Sequence, residues 1–187
     1  MTKFSWPAEF DDERISVLAT ALAAAREEAQ TLEDSGAGDT AWGTGCRAYE
    51  RACFKIRELA KREEWLSILV GEAGGLEFVF AVGGVPLRFC RGDDERIPVS
   101  RARRNDAESR AHEMLFETMP TSCEVFRLVV DVCDDGLADE IWLVAADSNG
   151  EVIDARQVEV IGARHEVPSS DEAPVVRHRG TARKERA

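Results

Sequence analysis

The chain has 187 residues, of which 44% are hydrophobic, and a formal net charge of −12 at pH 7. This length and this apolar fraction suit one folded domain with a buried core. The negative charge disfavours nucleic acid and anionic membrane surfaces as partners, because like charges repel over most of the surface. A basic protein surface is the class of partner that such a charge favours.

The cysteines bear on the cellular compartment. They are odd in number, and no two of them form a CxxC pair: Cys46, Cys53, Cys90, Cys123 and Cys133. A scattered set of this kind is typical of a reducing compartment. The N-terminal residues lack the apolar core of a signal peptide, and no apolar run approaches the length of a membrane span. We therefore expect a soluble cytoplasmic protein, and the many arginines and alanines suggest a bacterial source.

The first third of the chain is predicted to be helical. Ile15, Leu18 and Leu22 open a stripe of apolar residues at spacings of three and four, which predicts a helix over 11–34. A glycine-rich segment ends this helix, and a second amphipathic run predicts another helix over 45–64. The two helices form an antiparallel hairpin in this interpretation. A coiled-coil dimer is the alternative, which the short repeat and the small seam residues disfavour.

Residues 65–162 are predicted to form a sheet with one inserted helix. Three short runs rich in β-branched and aromatic residues come first, and Gly83-Gly84 between two of them is typical of a tight hairpin. A helix over 106–118 follows, with Asn105 as its N-cap and Glu108 completing an approximate capping box. Three further strands end the domain, and Asn149-Gly150 marks another hairpin.

The predicted fold class is α+β, with the helical hairpin packed on a mostly antiparallel sheet of five or six strands. Residues 1–162 form a single domain in this prediction, and 163–187, rich in Pro, Ser and Arg without periodicity, form a disordered tail. The order of strands and helices is similar to that of PAS, GAF and profilin-like sensory domains. That likeness is an analogy of fold and implies no function.

The motifs for catalysis and metal binding that the sequence suggests each lack a required residue or a required position in the fold. His112-Glu113 opens an HExxH pattern, but Phe116 stands where the second histidine is required. The acidic run at 131–136 lacks the ligand set of a calcium loop, and the glycine-rich segments do not follow a strand as a phosphate-binding loop does. The sequence predicts no catalytic residue, no metal and no cofactor, and a non-enzymatic protein is favoured over an enzyme.

One stretch remains as a candidate site, residues 88–106, between a predicted strand and the predicted helix. Because guanidinium groups bind carboxylate and phosphate in a bidentate manner, its arginines are the predicted ligand- or partner-binding residues. They are Arg88, Arg91, Arg96, Arg101, Arg103 and Arg104. The alternative, which we favour, is a solvated loop whose arginines pair with acids of the same chain. Nucleic acid is disfavoured as the ligand, because stacking aromatic residues are missing from the stretch.

Two functions of different classes follow from these observations. The first is an acidic interaction or regulatory module of a bacterial cytoplasm, comparable to an antitoxin, an immunity protein or an adaptor, which binds a basic protein. The second is a small-molecule sensor or small enzyme that binds an anionic ligand in a pocket between sheet and helices near the arginine-rich stretch. A homodimer is also expected if part of the sheet is left uncovered.

Overall fold

The computed structural model describes residues 4–71, 77–92, 95, 97–102, 104, 106, 108–110, 125–147 and 149–161. Two long helices, a six-stranded sheet and two short helical turns make up this part of the chain. The helices are α1 (Asp12–Thr31), α2 (Ala41–Ala60) and the short α3 (Val99–Ala102), with a 3₁₀ turn at Ser35–Ala37; the strands are β1 (Leu66–Val70), β2 (Val79–Val82), β3 (Val85–Arg91), β4 (Val125–Val132), β5 (Ala138–Ala146) and β6 (Val152–Gln157).

The helical hairpin is confirmed, with bounds that differ from the prediction. Asp11 caps α1 by accepting a hydrogen bond from the Arg14 N–H at 2.8 Å. Thr40 caps α2 by accepting from the Gly43 N–H at 3.2 Å, so α2 begins four residues before the predicted 45–64 helix. Gly43 lies outside the predicted helix, and the structure places it in the capped first turn of α2.

The sheet is mixed and mostly antiparallel, which confirms the predicted fold class. Its strands lie in chain order from β1 to β6, and every neighbouring pair is antiparallel except β3 and β4. The hairpin predicted at Gly83-Gly84 joins β2 to β3, and both glycines have positive φ, 58° and 93°. The parallel pair has a topological consequence, because two parallel neighbours require a crossover connection. Residues 92–124 make this connection.

One face of the sheet packs on the helical hairpin. Side chains at alternate positions of the strands meet the apolar stripe of α1 and one side of α2. The residues include Phe10, Ile15, Leu18, Leu22, Ile56, Phe80, Leu128 and Leu143. The predicted stripe of α1 is therefore the core face of that helix.

The opposite face of the sheet packs on the crossover connection. Ile97 is fully buried there in a smaller apolar cluster with Cys90, Val129 and Val144. The Ile97 N–H donates to the Gly150 carbonyl at 3.3 Å, which ties the connection to the β5–β6 turn. The sheet thus lies between the helical hairpin and the crossover.

The structure describes only the start of the predicted helix over 106–118. Residues 106 and 108–110 have helical backbone, and 111–118 lie outside the described residues, as does the proposed cap Asn105. The short helix α3 is not predicted from the sequence, and it lies within the stretch 88–106, for which a solvated loop is the favoured prediction. The predicted tail 163–187 also lies outside the described residues, and the division at residue 162 stays a prediction.

Candidate functional site

The arginine-rich connection lies against the sheet and contributes to a buried cluster of charges. In the parallel register of β3 and β4, Arg88 stands directly beside Arg127. Both side chains lie on the crossover face, where Glu108 lies between them, and these three residues are named here the Arg–Glu–Arg cluster. Counted over the whole residue, backbone included, the exposed fractions are 8% for Arg88, 1% for Arg127 and 2% for Glu108.

The distances within the cluster are those of charge-assisted hydrogen bonds. Arg127 Nη1 donates to Glu108 Oε1 at 2.6 Å, and Arg88 Nη1 donates to Glu108 Oε2 at 3.2 Å. Arg127 Nε also donates to the carbonyl of Arg101 at 2.7 Å. One carboxylate and one carbonyl of the crossover therefore hold that connection against two neighbouring strands.

Burial disfavours the charged form of the Arg127 side chain. It lowers the pKa of the Arg127 guanidinium, while Glu108 opposes this shift because it favours the charged form. The neighbouring Cys90 is buried in the same layer, and its pKa is raised by desolvation. A thiol with a raised pKa is a poor nucleophile at neutral pH, so this cysteine is a packing residue.

The predicted site residues are placed differently from one another. Arg88 is buried and paired with Glu108, Arg91 is exposed at the end of β3, Arg101 is exposed on α3, and Arg104 is half-buried. Arg96 and Arg103 lie outside the described residues. The structure thus brings Arg88 to the cluster by its side chain and Arg101 by its carbonyl. Whether any of these residues binds a ligand stays a prediction.

Two residues of the cluster, Arg127 and Glu108, are not among the site residues predicted from the sequence. Arg127 is a single charge between Phe126 and Leu128 in the run "VFRLVV", and this pattern indicates a charge inside a buried strand, which requires a partner. The spacing from Asn105 predicts for Glu108 only a role in a helix cap. Its partners Arg88 and Arg127 come from separate strands, so no local spacing could have identified them.

A second feature is a concentration of carboxylates at one end of the sheet. β4 ends and β5 begins there, and the chain after β6 returns to the same place, because the Val158 N–H donates to the Ile141 carbonyl at 2.8 Å. This group of acids is named here the acidic end. Its members are Asp131, Asp134, Asp135, Asp139, Glu140 and Glu159.

The bases of β4–β6 do not neutralise the acidic end. The strands and turns from 125 to 161 contain two bases, Arg127 and Arg156. Arg127 is buried in the Arg–Glu–Arg cluster, and Arg156 pairs with Asp12 of α1 at 2.8 Å. Within the described part of the chain, no acid of the acidic end forms an ion pair.

The turn between β4 and β5 holds one of its carboxylates, that of Asp135, in the ionised form. The Cys133 thiol and the Leu137 N–H both donate to Asp135, and these hydrogen bonds lower the pKa of that carboxyl. The turn is fixed on α1, since Arg26 donates to the Gly136 carbonyl and is itself 9% exposed. The acidic end is therefore a preformed surface.

The outer face of the helical hairpin differs from the acidic end, because its acids form ion pairs with bases. Glu28 accepts from Arg51 at 2.7 Å and from Lys55 at 2.6 Å, and Arg47 pairs with Asp39 at 3.2 Å. An open depression of about 530 Å³ lies along these side chains. Exposed pairs of this kind are a solvated surface and contribute little to stability.

Fold and site together define a mixed α+β domain with a buried ion-pair cluster under its crossover and a concentrated negative surface at one end. Comparison with protein-family models, with curated proteins and with solved structures finds no match. In the described residues no group of His, Cys, Asp and Glu side chains is arranged to hold a metal ion. None of the described helices has the length and apolar character that crossing a membrane requires.

Proposed function

We propose that the protein is a non-enzymatic acidic interaction or regulatory module that binds a basic protein partner. An antitoxin, an immunity protein and an adaptor are modules of the kind meant. The observation that carries the proposal is the acidic end, whose six carboxylates have no ion-pair partner among the described residues. A preformed surface on which one charge sign predominates speeds the encounter with a partner of the opposite sign.

The compartment proposed for this binding is a bacterial cytoplasm. Cys46, Cys53, Cys90 and Cys133 are free thiols. Two of them, Cys53 and Cys90, are buried, and burial raises the pKa of Cys53 to about 11. Thiols that stay reduced and serve in packing are typical of a reducing compartment.

The experiment is affinity capture from the native host with a charge-matched pair of variants. One variant carries Asp134→Asn, Asp139→Asn and Glu159→Gln, which are exposed and accept no hydrogen bond through their carboxylates among the described residues. The control neutralises the same number of exposed acids on the helical hairpin side, with Glu27→Gln, Glu50→Gln and Glu64→Gln.

The expected result is one basic protein captured in stoichiometric amount by the wild type and by the control variant, and lost from the acidic-end variant. Equally reduced capture by both variants would mean that only the overall net charge matters, and undiminished capture by both would mean that neither set of acids contributes. Either result would show that the acidic end is not the binding surface. Failure of the wild type to capture any basic protein would contradict the proposal as a whole.

A sensor or small enzyme for an anionic ligand is the alternative prediction. Its candidate cation Arg88 faces the crossover and not the helical hairpin, and it is already paired with Glu108 at 3.2 Å. An anion would therefore have to displace an existing carboxylate from a buried position. A thermal-shift screen against nucleotides and anionic metabolites tests this alternative, which predicts stabilisation that is lost in Arg88→Gln.

A further inference from the structure

The chain leaves the described fold at the acidic end. A backbone hydrogen bond after β6 continues the register of β5 and β6 by one pair. Glu140 and Glu159 stand at the next position of that register, opposite each other. The Ile161 N–H then donates to Thr20 Oγ1 of α1 at 2.9 Å, which fixes the point of departure. The residues after Ile161 therefore begin beside these carboxylates.

The paired acids at this point lack a cation. Glu140 accepts from Trp142 Nε1 and from Gln157 Nε2, each at 3.1 Å, and these bonds orient its carboxylate. Like charges directly opposite each other on a sheet are destabilising. Within the described part of the chain, no base pairs with Glu140 or Glu159. A base that relieves this repulsion must come from outside the described residues.

Two exposed apolar side chains lie among the acids. Leu137 follows Asp135 in the β4–β5 turn and is 37% exposed, and Ile161 follows Glu159 and is 57% exposed. The Leu137 N–H donates to Asp135 at 3.0 Å, so its backbone is fixed, as is that of Ile161. Apolar side chains surrounded by charged ones are the composition of a binding surface, which a solvated group of acids does not have.

The sequence after Ile161 contains the complementary groups. Residues 177–186 have five bases and one acid, and they are named here the basic segment. Two valines, Val175 and Val176, come directly before it. The bases of the segment are Arg177, Arg179, Arg183, Lys184 and Arg186. Apolar residues followed by bases match a surface of apolar side chains and carboxylates.

The covalent connection brings the basic segment within reach of the acidic end. Residues 162–176 separate it from Ile161, and a chain of this length spans up to about 50 Å when extended. The strand β5 is about 30 Å long, so every acid at its end is within reach. The arginine-rich connection does not compete, because the Ile97 N–H is bonded to the Gly150 carbonyl at the opposite end of β5.

We infer that the basic segment binds the acidic end of its own chain and covers it until a basic partner displaces it. A tethered segment has an effective concentration on the order of millimolar. Exposed ion pairs are individually weak, so the dissociation constant of the segment is also on the order of millimolar and the contact forms about half of the time. Binding within the chain stands independently of the proposed function, whereas the competition with a partner rests on it.

Zero-length cross-linking of the full chain with a carbodiimide tests the contact without any partner. The reagent joins an amine to a carboxylate that touches it, and Lys184 is the lysine of the basic segment. Lys55 and Glu28, 2.6 Å apart, are the internal positive control. Mixing ¹⁵N-labelled with unlabelled protein distinguishes, by mass, cross-links within one chain from those between chains.

We expect Lys184 to be joined at low salt, within one chain, to acids between residues 131 and 159. The cross-link should persist in the variant Glu27→Gln, Glu50→Gln and Glu64→Gln. It should fall several-fold in the acidic-end variant and in a neutral-segment variant that keeps Lys184. The neutral-segment variant carries Arg177→Gln, Arg179→Gln, Arg183→Gln and Arg186→Gln.

Three results would overturn the inference: no Lys184 product while Lys55 and Glu28 react, Lys184 products spread equally to Glu27 and Glu64, or products between chains alone. An equal yield from the neutral-segment variant would also overturn it. Since this measurement needs no partner, failure of the inference and failure of the proposed function are separate results.

The competition is measured as the association rate with the captured basic partner. Half occupancy by the segment predicts a rate about twofold higher for the neutral-segment variant than for the wild type at low salt. The two rates should converge at about 0.5 M salt, where charges are screened over roughly 4 Å. Equal rates at low salt would show that the segment does not cover the acidic end.

Discussion

Replacing Glu108 by glutamine tests whether the Arg–Glu–Arg cluster holds the crossover on the sheet. The substitution keeps the shape of the side chain and removes its charge. The carboxylate is 2.6 Å from Arg127 and 3.2 Å from Arg88, and the three side chains are 3%, 1% and 10% exposed in the order Glu108, Arg127 and Arg88. Two guanidinium groups with little access to water therefore lose a shared counter-charge.

The expected loss of unfolding free energy in Glu108→Gln follows from the burial of the cluster. Removing one partner of a buried ion pair costs about 3–5 kcal/mol, because the remaining charge stays desolvated. Arg88 lies at the margin of the cluster and can turn toward water, so we expect the lower end, about 3 kcal/mol. A domain of this size is stable by about 5–15 kcal/mol, so Glu108→Gln would remove a large part of the free energy of unfolding.

Urea denaturation followed by circular dichroism measures this loss. The matched control is Glu58→Gln, the same substitution in an exposed pair, because Glu58 and Lys61 are 32% and 68% exposed. Exposed pairs contribute about 0–1 kcal/mol, so the control should unfold near the wild-type urea concentration. If Glu108→Gln were as stable as Glu58→Gln, the cluster would not be desolvated and would not hold the crossover.

Three further outcomes are expected from single substitutions. Arg101→Ala keeps the carbonyl that accepts from Arg127, so its free energy of unfolding should stay within about 1 kcal/mol of the wild type in urea, since the side chain is exposed. The backbone N–H groups of Glu151 and Asn149 lower the pKa of Asp147, so its carboxylate stabilises the fold above its unfolded pKa, and this contribution is lost as the pH falls through the lower folded pKa. Thermal melts measure the stability of each protein at neutral pH and below about pH 4. Between these conditions Asp147→Asn should lose less stability than the wild type, and an equal loss would contradict this assignment. Asp135 raises the pKa of Cys133, so iodoacetamide should alkylate Cys133 faster in Asp135→Asn than in the wild type at pH 8, as measured by mass spectrometry, and an unchanged rate would show that the carboxylate does not control the thiol.

Local patterns in the sequence were sufficient to predict the helices α1 and α2 and the tight hairpin between β2 and β3. The apolar spacing of Ile15, Leu18 and Leu22 identified the core face of α1, because a helix repeats its side-chain directions over short distances. Gly83 and Gly84 identified a tight turn, because both adopt positive φ there. Each of these signals is contained within a few neighbouring residues.

Contacts between distant residues could not be obtained in this way. The parallel register that sets Arg88 beside Arg127 joins positions 39 residues apart, and no local pattern encodes it. The arginine-rich connection is predicted from the sequence to be a solvated loop whose arginines pair with acids of the same chain. It packs on the sheet through Ile97 and Glu108, whose burial depends on that register.

The central claim is that the acidic end binds a basic protein, and the salt dependence of the association rate tests it most directly. The rate of binding to the captured partner is measured for the wild type between low salt and about 0.5 M salt, where the screening length falls to roughly 4 Å. We predict a steep fall in the wild type and a much weaker dependence in the variant with Asp134→Asn, Asp139→Asn and Glu159→Gln. An association rate that does not change with salt would contradict the claim.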